Sequence, residues 1–177
     1  MNISDRIRSA VRNVPDFPKK GILFRDITPV LADPLLCHDI AVEMKDLASA
    51  HRIDAVAGIE SRGFLFGIML AQQLNVPFIP IRKKGKLPYK TVACEYSLEY
   101  GTAIIEMHAD AVIPGMQVLV HDDLLATGGT AAAAAHLVTM QKGEIAAFSF
   151  VIGLDFLDGA TKLLAYTKNI QTLVNYN

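Results

Sequence analysis

The sequence predicts an α/β fold: a mainly parallel, twisted sheet flanked by helices, with a small N-terminal hood and a mobile loop and β-hairpin. Short, almost wholly apolar runs recur at 54–59 (DAVAGI), 76–81 (VPFIPI), 116–120 (MQVLV) and 146–152 (AAFSFVI), as strands buried on both faces require. Helical periodicity separates the first run from the second and the third from the fourth, and strands alternating with helices imply a parallel sheet covered on both sides. Of the 177 residues, 51% are hydrophobic and 20% charged, enough for one substantial core and against disorder.

The elements follow in order. Ile3, Ile7, Ala10 and Val11 recur at helical spacing and predict a short amphipathic helix. "VPDFPKKGILFRDITPVLADP" then spreads four prolines around a short apolar strand at 22–24, so it reads as an extended arm. Asp33 before Pro34 is an N-cap with proline at the first helical position, opening a helix to about residue 50. After the DAVAGI strand comes a helix over about 62–74, and then VPFIPI. "RKKGKLPYKTVACEYSLEYGTAIIEMH" interrupts the rhythm with a basic loop leading into a hairpin around Tyr100-Gly101. Beyond the Pro114-Gly115 turn follow MQVLV, a helix over about 129–141, AAFSFVI, and a last strand near 170–174. The division expected is a hood or arm at 1–33 and a core at 34–177 that includes a flexible loop at 83–102.

Charge and cysteine content exclude several classes. A net charge of −1 favours neither a nucleic acid nor a membrane surface as partner. Cys37 and Cys94 are far apart and in no metal-ligating pattern, as expected of reduced thiols in a cytoplasmic protein. The N-terminus has no apolar signal core, and no apolar run approaches the roughly 20 residues of a membrane span.

The chemistry concentrates in "VLVHDDLLATGGT", 118–130. Asp122 and Asp123 end a buried strand, where ligands bind in open α/β sheets. Ala126, Thr127, Gly128, Gly129 and Thr130 lead straight into a helix, whose first N–H groups lack partners and attract anions. Glycines let the backbone approach a phosphate closely, and the threonine hydroxyls add donors. A carboxylate pair offers only acceptors, which suits a set of sugar hydroxyls. Alone, an acid pair or a Gly-Gly is more often a solvated turn; in this order they spell a sugar-phosphate site. Neither GxxxxGK[ST] nor GxGxxG occurs.

That stretch resembles the phosphoribosyl pyrophosphate motif of type I phosphoribosyltransferases. "FPKKGILFRDITPVL", "GIESRGFLFG", "IRKKGKLP" and "YSLEYG" are similar, in order, to successive signatures of that family's adenine-specific members, over about 17–154. The resemblance implies Mg²⁺-dependent condensation of adenine with phosphoribosyl pyrophosphate to AMP and pyrophosphate, by a homodimer, with the metal held mainly by substrate and water. It implies Arg62, Arg82, Lys83 and Lys86 at the pyrophosphate, the last three reaching the partner subunit's site. It puts Glu99 and Tyr100 on a closing lid, with Glu99 handling adenine's ring protons. Leu23 and Arg25 become adenine contacts through main chain, and Leu154 an apolar wall. The hood then contributes to the base site, and Phe24 fits a core role or base stacking equally well.

His121, where the family has an apolar residue, receives no role. Gly153 and Ala160 replace a glutamate and an arginine of the family pattern, which leaves that wall of the base pocket open. Two rivals stay on the table: a phosphoribosyltransferase for hypoxanthine, guanine or orotate, and a non-catalytic sensor of phosphoribosyl pyrophosphate or a nucleotide.

Overall fold

The computed structural model describes residues 2–97 and 101–177. It opens with α1 (Ile3–Ala10), capped by the Asn2 side chain, which accepts the Asp5 N–H. β1 (Arg12–Pro15) and β2 (Leu23–Asp26) then pair antiparallel as a separate two-stranded ribbon. The sequence predicts one strand in this arm; the structure moves it to 23–26 and adds its partner. β1 is a short polar segment ending in proline, and such a strand is defined only by what it pairs with.

α2 (Thr28–Leu31) and α3 (Pro34–Ala48) follow, and the Asp33 carboxylate accepts the Leu36 N–H, the N-cap expected. Next come β3 (Ala55–Ile59), α4 (Gly63–Leu74) and β4 (Phe78–Lys83). β5 (Thr91–Ser97) and β6 (Thr102–His108) pair antiparallel, as the alternating pattern predicts. β7 (Gln117–Leu125), α5 (Gly129–Met140) and β8 (Glu144–Leu154) continue the alternation. A 3-10 turn (Asp155–Leu157), the short α6 (Gly159–Leu163) and β9 (Ile170–Tyr176) end the chain; the turn and α6 are too short to show periodicity.

Seven strands form the main sheet in the order β5-β6-β4-β3-β7-β8-β9. β4, β3, β7, β8 and β9 run parallel, while β6 joins β4 antiparallel. Alternation along β7 sends Val118 and Val120 to the face covered by alanine-rich α5, and Leu119 to the face covered by α1, α3 and α4.

One feature of the register positions the site. β3 stays beside β7 only as far as Gly58 opposite His121, whereas β8 stays paired with β7 as far as Gly153 opposite Leu125. β7 therefore outruns β3, and Asp122 and Asp123 lie within its projecting end. The sequence reading stops this strand at 120, because the apolar run stops there; the continuing ladder to β8 carries it five residues further, to Leu125.

Leu119, fully buried at the sheet centre, should lose about 2–5 kcal/mol of stability on change to alanine. Urea unfolding should show a lower midpoint at unchanged slope. Ile113→Ala, at a position 62% exposed, should stay within about 0.5 kcal/mol. Equal losses at the two positions would contradict this core.

Candidate active site

Asp123 is buried and its Oδ2 lies 3.1 Å from Arg62 Nε. Asp122 turns back on the chain, its Oδ1 accepting the Asp123 N–H at 2.9 Å. Arg62 immediately precedes α4, and Gly63 makes the close approach possible: a Cβ there would come within 2.9 Å of Asp122 Oδ1 and 3.0 Å of the His121 carbonyl. Burial pushes both carboxyls above the ordinary carboxylate range. The Asp123 charge adds to the rise at Asp122, and the Arg62 charge restrains it at Asp123. Asp122 keeps some accessible surface, so water tempers the burial effect there, but the repulsion from its neighbour is independent of that.

Beside Asp122 a cavity of about 80 Å³ is lined by Ala126, Thr127, Gly128, Gly129 and Thr130. No side chain caps α5, so the N–H groups of its first turn point into this loop region without an internal competitor. Gly128 has φ +74°, and a Cβ there would collide with the Gly159 carbonyl; one on Gly159 would collide with the Ala126 carbonyl. The two glycines thus let α6 pack directly on the loop. Thr130 Oγ1 donates to the Tyr96 hydroxyl at 3.3 Å, which ties the β5–β6 hairpin to the same loop.

The basic segment after β4 is anchored by two acids that sequence reasoning misses. Glu60 accepts Arg82 Nε at 3.2 Å, Arg82 Nη2 at 3.0 Å and the Lys83 N–H at 3.0 Å. These contacts, the Arg82 bond first, hold the Glu60 carboxyl below its ordinary range. Glu106 accepts main-chain N–H groups of the turn at 85–87. Their signal was faint: an acid amid apolar neighbours in "AIIEMH", and another before "SRG".

The four adenine candidates divide between two faces of the β1–β2 ribbon. Leu23, Arg25 and Leu154 share a cleft of about 580 Å³ with Phe156. Phe24 points into a second cleft of about 360 Å³ with Phe17 and Arg62, its ring edge-to-face with Phe17 and 5.5 Å from the Arg62 guanidinium. Phe24 is half-buried and outside both core clusters, so the core alternative does not apply. A side chain at Gly153 would meet Asn175 Oδ1 at 2.6 Å, so the Asn175 side chain would have to turn aside to admit one. Ala160 lines a cavity with Leu125, Leu154 and Asp158.

Glu99 and Tyr100 lie outside the described residues. His121 is fully buried, and burial pushes its pKa down to about 4, so it is neutral near pH 7. Ser149 main chain approaches the ring, but neither ring nitrogen completes a well-formed hydrogen bond among the described residues. It is a core residue, one strand position ahead of the acids.

A carboxyl whose pKa is raised on folding contributes stability that is fully present below its ordinary value, about 3.9, and is lost as pH rises through its raised folded value. Asp122→Asn keeps the acceptor for the Asp123 N–H and removes that loss. Thermal unfolding should therefore show the variant gaining on wild type as pH rises from about 4 to 8, by a few degrees at the upper end. A difference independent of pH would contradict the raised Asp122 pKa.

Similarity to known proteins agrees with this geometry. The family model described as the phosphoribosyl transferase domain matches residues 30–174. The adenine phosphoribosyltransferase of Cytophaga hutchinsonii is 55% identical over 174 residues, 98% of this chain and 96% of that protein. The crystal structure of the enzyme of that name from Thermoanaerobacter pseudethanolicus superposes with a TM-score of 0.94 at 45% identity, over 99% of this chain and 100% of the other. The Saccharomyces cerevisiae adenine phosphoribosyltransferase, solved with an imino-altritol bisphosphate and adenine, gives a TM-score of 0.88 at 38% identity, over 97% and 98%. With its projecting acid pair, its glycine-threonine loop and matches of this extent, the chain belongs to the adenine phosphoribosyltransferases of the type I phosphoribosyltransferase fold.

Proposed function

We propose that this enzyme makes AMP and pyrophosphate from adenine and phosphoribosyl pyrophosphate, in purine salvage, with the residues above in defined roles. The observation that carries the reading is the adjacency of the acid pair to the 126–130 loop at the uncapped start of α5. Ala126, Thr127, Gly128, Gly129 and Thr130 hold the 5′-phosphate, and Asp122 and Asp123 accept the ribose hydroxyls. Arg62, Arg82, Lys83 and Lys86 take the pyrophosphate.

In the reaction adenine N9 bonds to the ribose C1 as the C1–oxygen bond breaks, and the bonding pair leaves with pyrophosphate. The sugar becomes cationic on the way, and the neighbouring carboxylates support that charge where water would not. Adenine loses a ring proton, for which Glu99 is the acceptor, with Tyr100 beside it on the lid. Closure excludes water from an activated sugar.

Mg²⁺ belongs to this reading. Asp122 and Asp123 offer hard oxygen donors next to the pyrophosphate position, the type Mg²⁺ accepts, and most of its coordination falls to substrate and water. When bound it neutralises charge on the leaving pyrophosphate.

A homodimer is part of the proposal too, supported by Leu35 on α3 and Leu65 and Ile68 on α4, large apolar side chains left exposed on two helices that pack together. So is a cytoplasmic location, supported by free Cys37 and Cys94. Among the described residues no helix is long and apolar enough to cross a membrane.

Base choice is the sharpest test. β2 has a strand partner on one side among the described residues, so main-chain groups of Leu23 and Arg25 on its other edge can read a purine. A carbonyl there accepts adenine's exocyclic amine and an N–H serves its N1, with Phe24 and Leu154 flanking the ring. A 6-oxopurine presents the reverse pattern. A site built on such pairing rejects the mismatched analogue by roughly 10⁴-fold. Nucleotide formation from adenine, hypoxanthine and guanine, each with phosphoribosyl pyrophosphate and Mg²⁺, measures this. Use of either oxopurine within about tenfold of adenine would overturn the assignment of the base.

A further inference from the structure

Glu106 stands on β6 opposite Arg82 of β4 and is only 5% exposed. Its Oε1 accepts the N–H groups of Gly85, Lys86 and Leu87 at 2.9, 3.1 and 3.1 Å, and its Oε2 accepts the Thr91 hydroxyl at 3.3 Å. Three successive main-chain donors converging on one oxygen form a concave anion nest, filled here by the chain's own carboxylate. Gly85, at φ +83°, supplies the left-handed turn that brings them together. Arg82 Nη1 closes the turn by donating to the Lys86 carbonyl at 3.0 Å. Among the described residues no carboxylate lies within ion-pair distance of the Lys83, Lys84 or Lys86 ammonium groups.

The turn's main chain is thus satisfied from inside the fold, while its ammonium groups stay available to an anion from outside. A carboxylate next to a pyrophosphate site looks counterproductive on charge alone. Its charge, however, is absorbed by three N–H dipoles and faces inward, so the outer side of the turn carries the field of the lysines. We propose that Glu106 is a positioning residue for phosphoribosyl pyrophosphate: it fixes the main chain at 85–87 so that the Arg82–Lys86 cations meet the pyrophosphate in a set geometry. This rests on the assignment of that segment to pyrophosphate.

Steady-state kinetics on four variants tests it. Lys86→Ala checks the underlying assignment and should raise the Michaelis constant for phosphoribosyl pyrophosphate. Glu106→Ala should raise the same constant by about tenfold or more while that for adenine moves less than about twofold. Glu106→Gln, which keeps a neutral acceptor, should fall between it and wild type. Gly85→Ala leaves Glu106 untouched and meets no atom within 4 Å, but strains the positive φ. It should reproduce the Glu106→Ala signature and keeps the test alive should that variant not fold. Hydrogen exchange at the 85–87 amides should quicken in each nest variant. If Lys86→Ala is silent, the pyrophosphate assignment fails. If Lys86→Ala responds but the nest variants shift both Michaelis constants alike, or neither, the positioning role is overturned.

Discussion

Two adjacent carboxylates held in a partly dry site are the constraint on which the other features depend. Burial makes Asp122 and Asp123 costly to keep ionised, and at Asp122 the Asp123 charge adds to the cost. The fold meets that cost locally: Arg62 pairs with Asp123, and Gly63 lets the start of α4 approach the acids. β7 also runs past β3 here, so the pair has a strand neighbour on the β8 side but none on the β3 side. A site that strains the free protein in this way is poised to gain when donors arrive, and ribose hydroxyls are such donors.

Arg62 links this pair to the hood. Its Nε faces Asp123 and its guanidinium lies 5.5 Å from the Phe24 ring, so one side chain spans the gap between the acid pair and the β1–β2 ribbon. The acid pair, the loop ahead of α5 and the anchored turn after β4 all lie toward the carboxyl ends of the parallel strands. Glycine recurs wherever two of these parts must touch, as at Gly63 and between Gly128 and Gly159.

How much of this could be read from sequence differs by kind of signal. The buried strands were legible because each is a short apolar run with turn residues at its ends, and the Asp33 cap because its chemistry is local. The acid pair and the 126–130 loop were legible because their residues are contiguous. β1 was not, nor was the full length of β7, because both depend on a neighbouring strand. Glu60 and Glu106 escaped for the same reason: their partners lie 22 and about 20 positions away and meet only through the pairing of β4 with β3 and β6. The separation of Phe24 from Leu23 and Arg25 follows from strand alternation once the ribbon is known.

That the acid pair holds the ribose hydroxyls is the claim on which the rest of the site turns. Calorimetry with AMP and 2′,3′-dideoxy-AMP, on wild type and on the double variant Asp122→Asn, Asp123→Asn, measures it without any turnover. Wild type should prefer AMP by at least about tenfold, since hydrogen bonds to charged acceptors are worth about 1.5–3 kcal/mol each. In the double variant the preference should collapse to within about twofold. A variant that keeps the wild-type preference would contradict the assignment and return Asp122 and Asp123 to the role of a strained strand end.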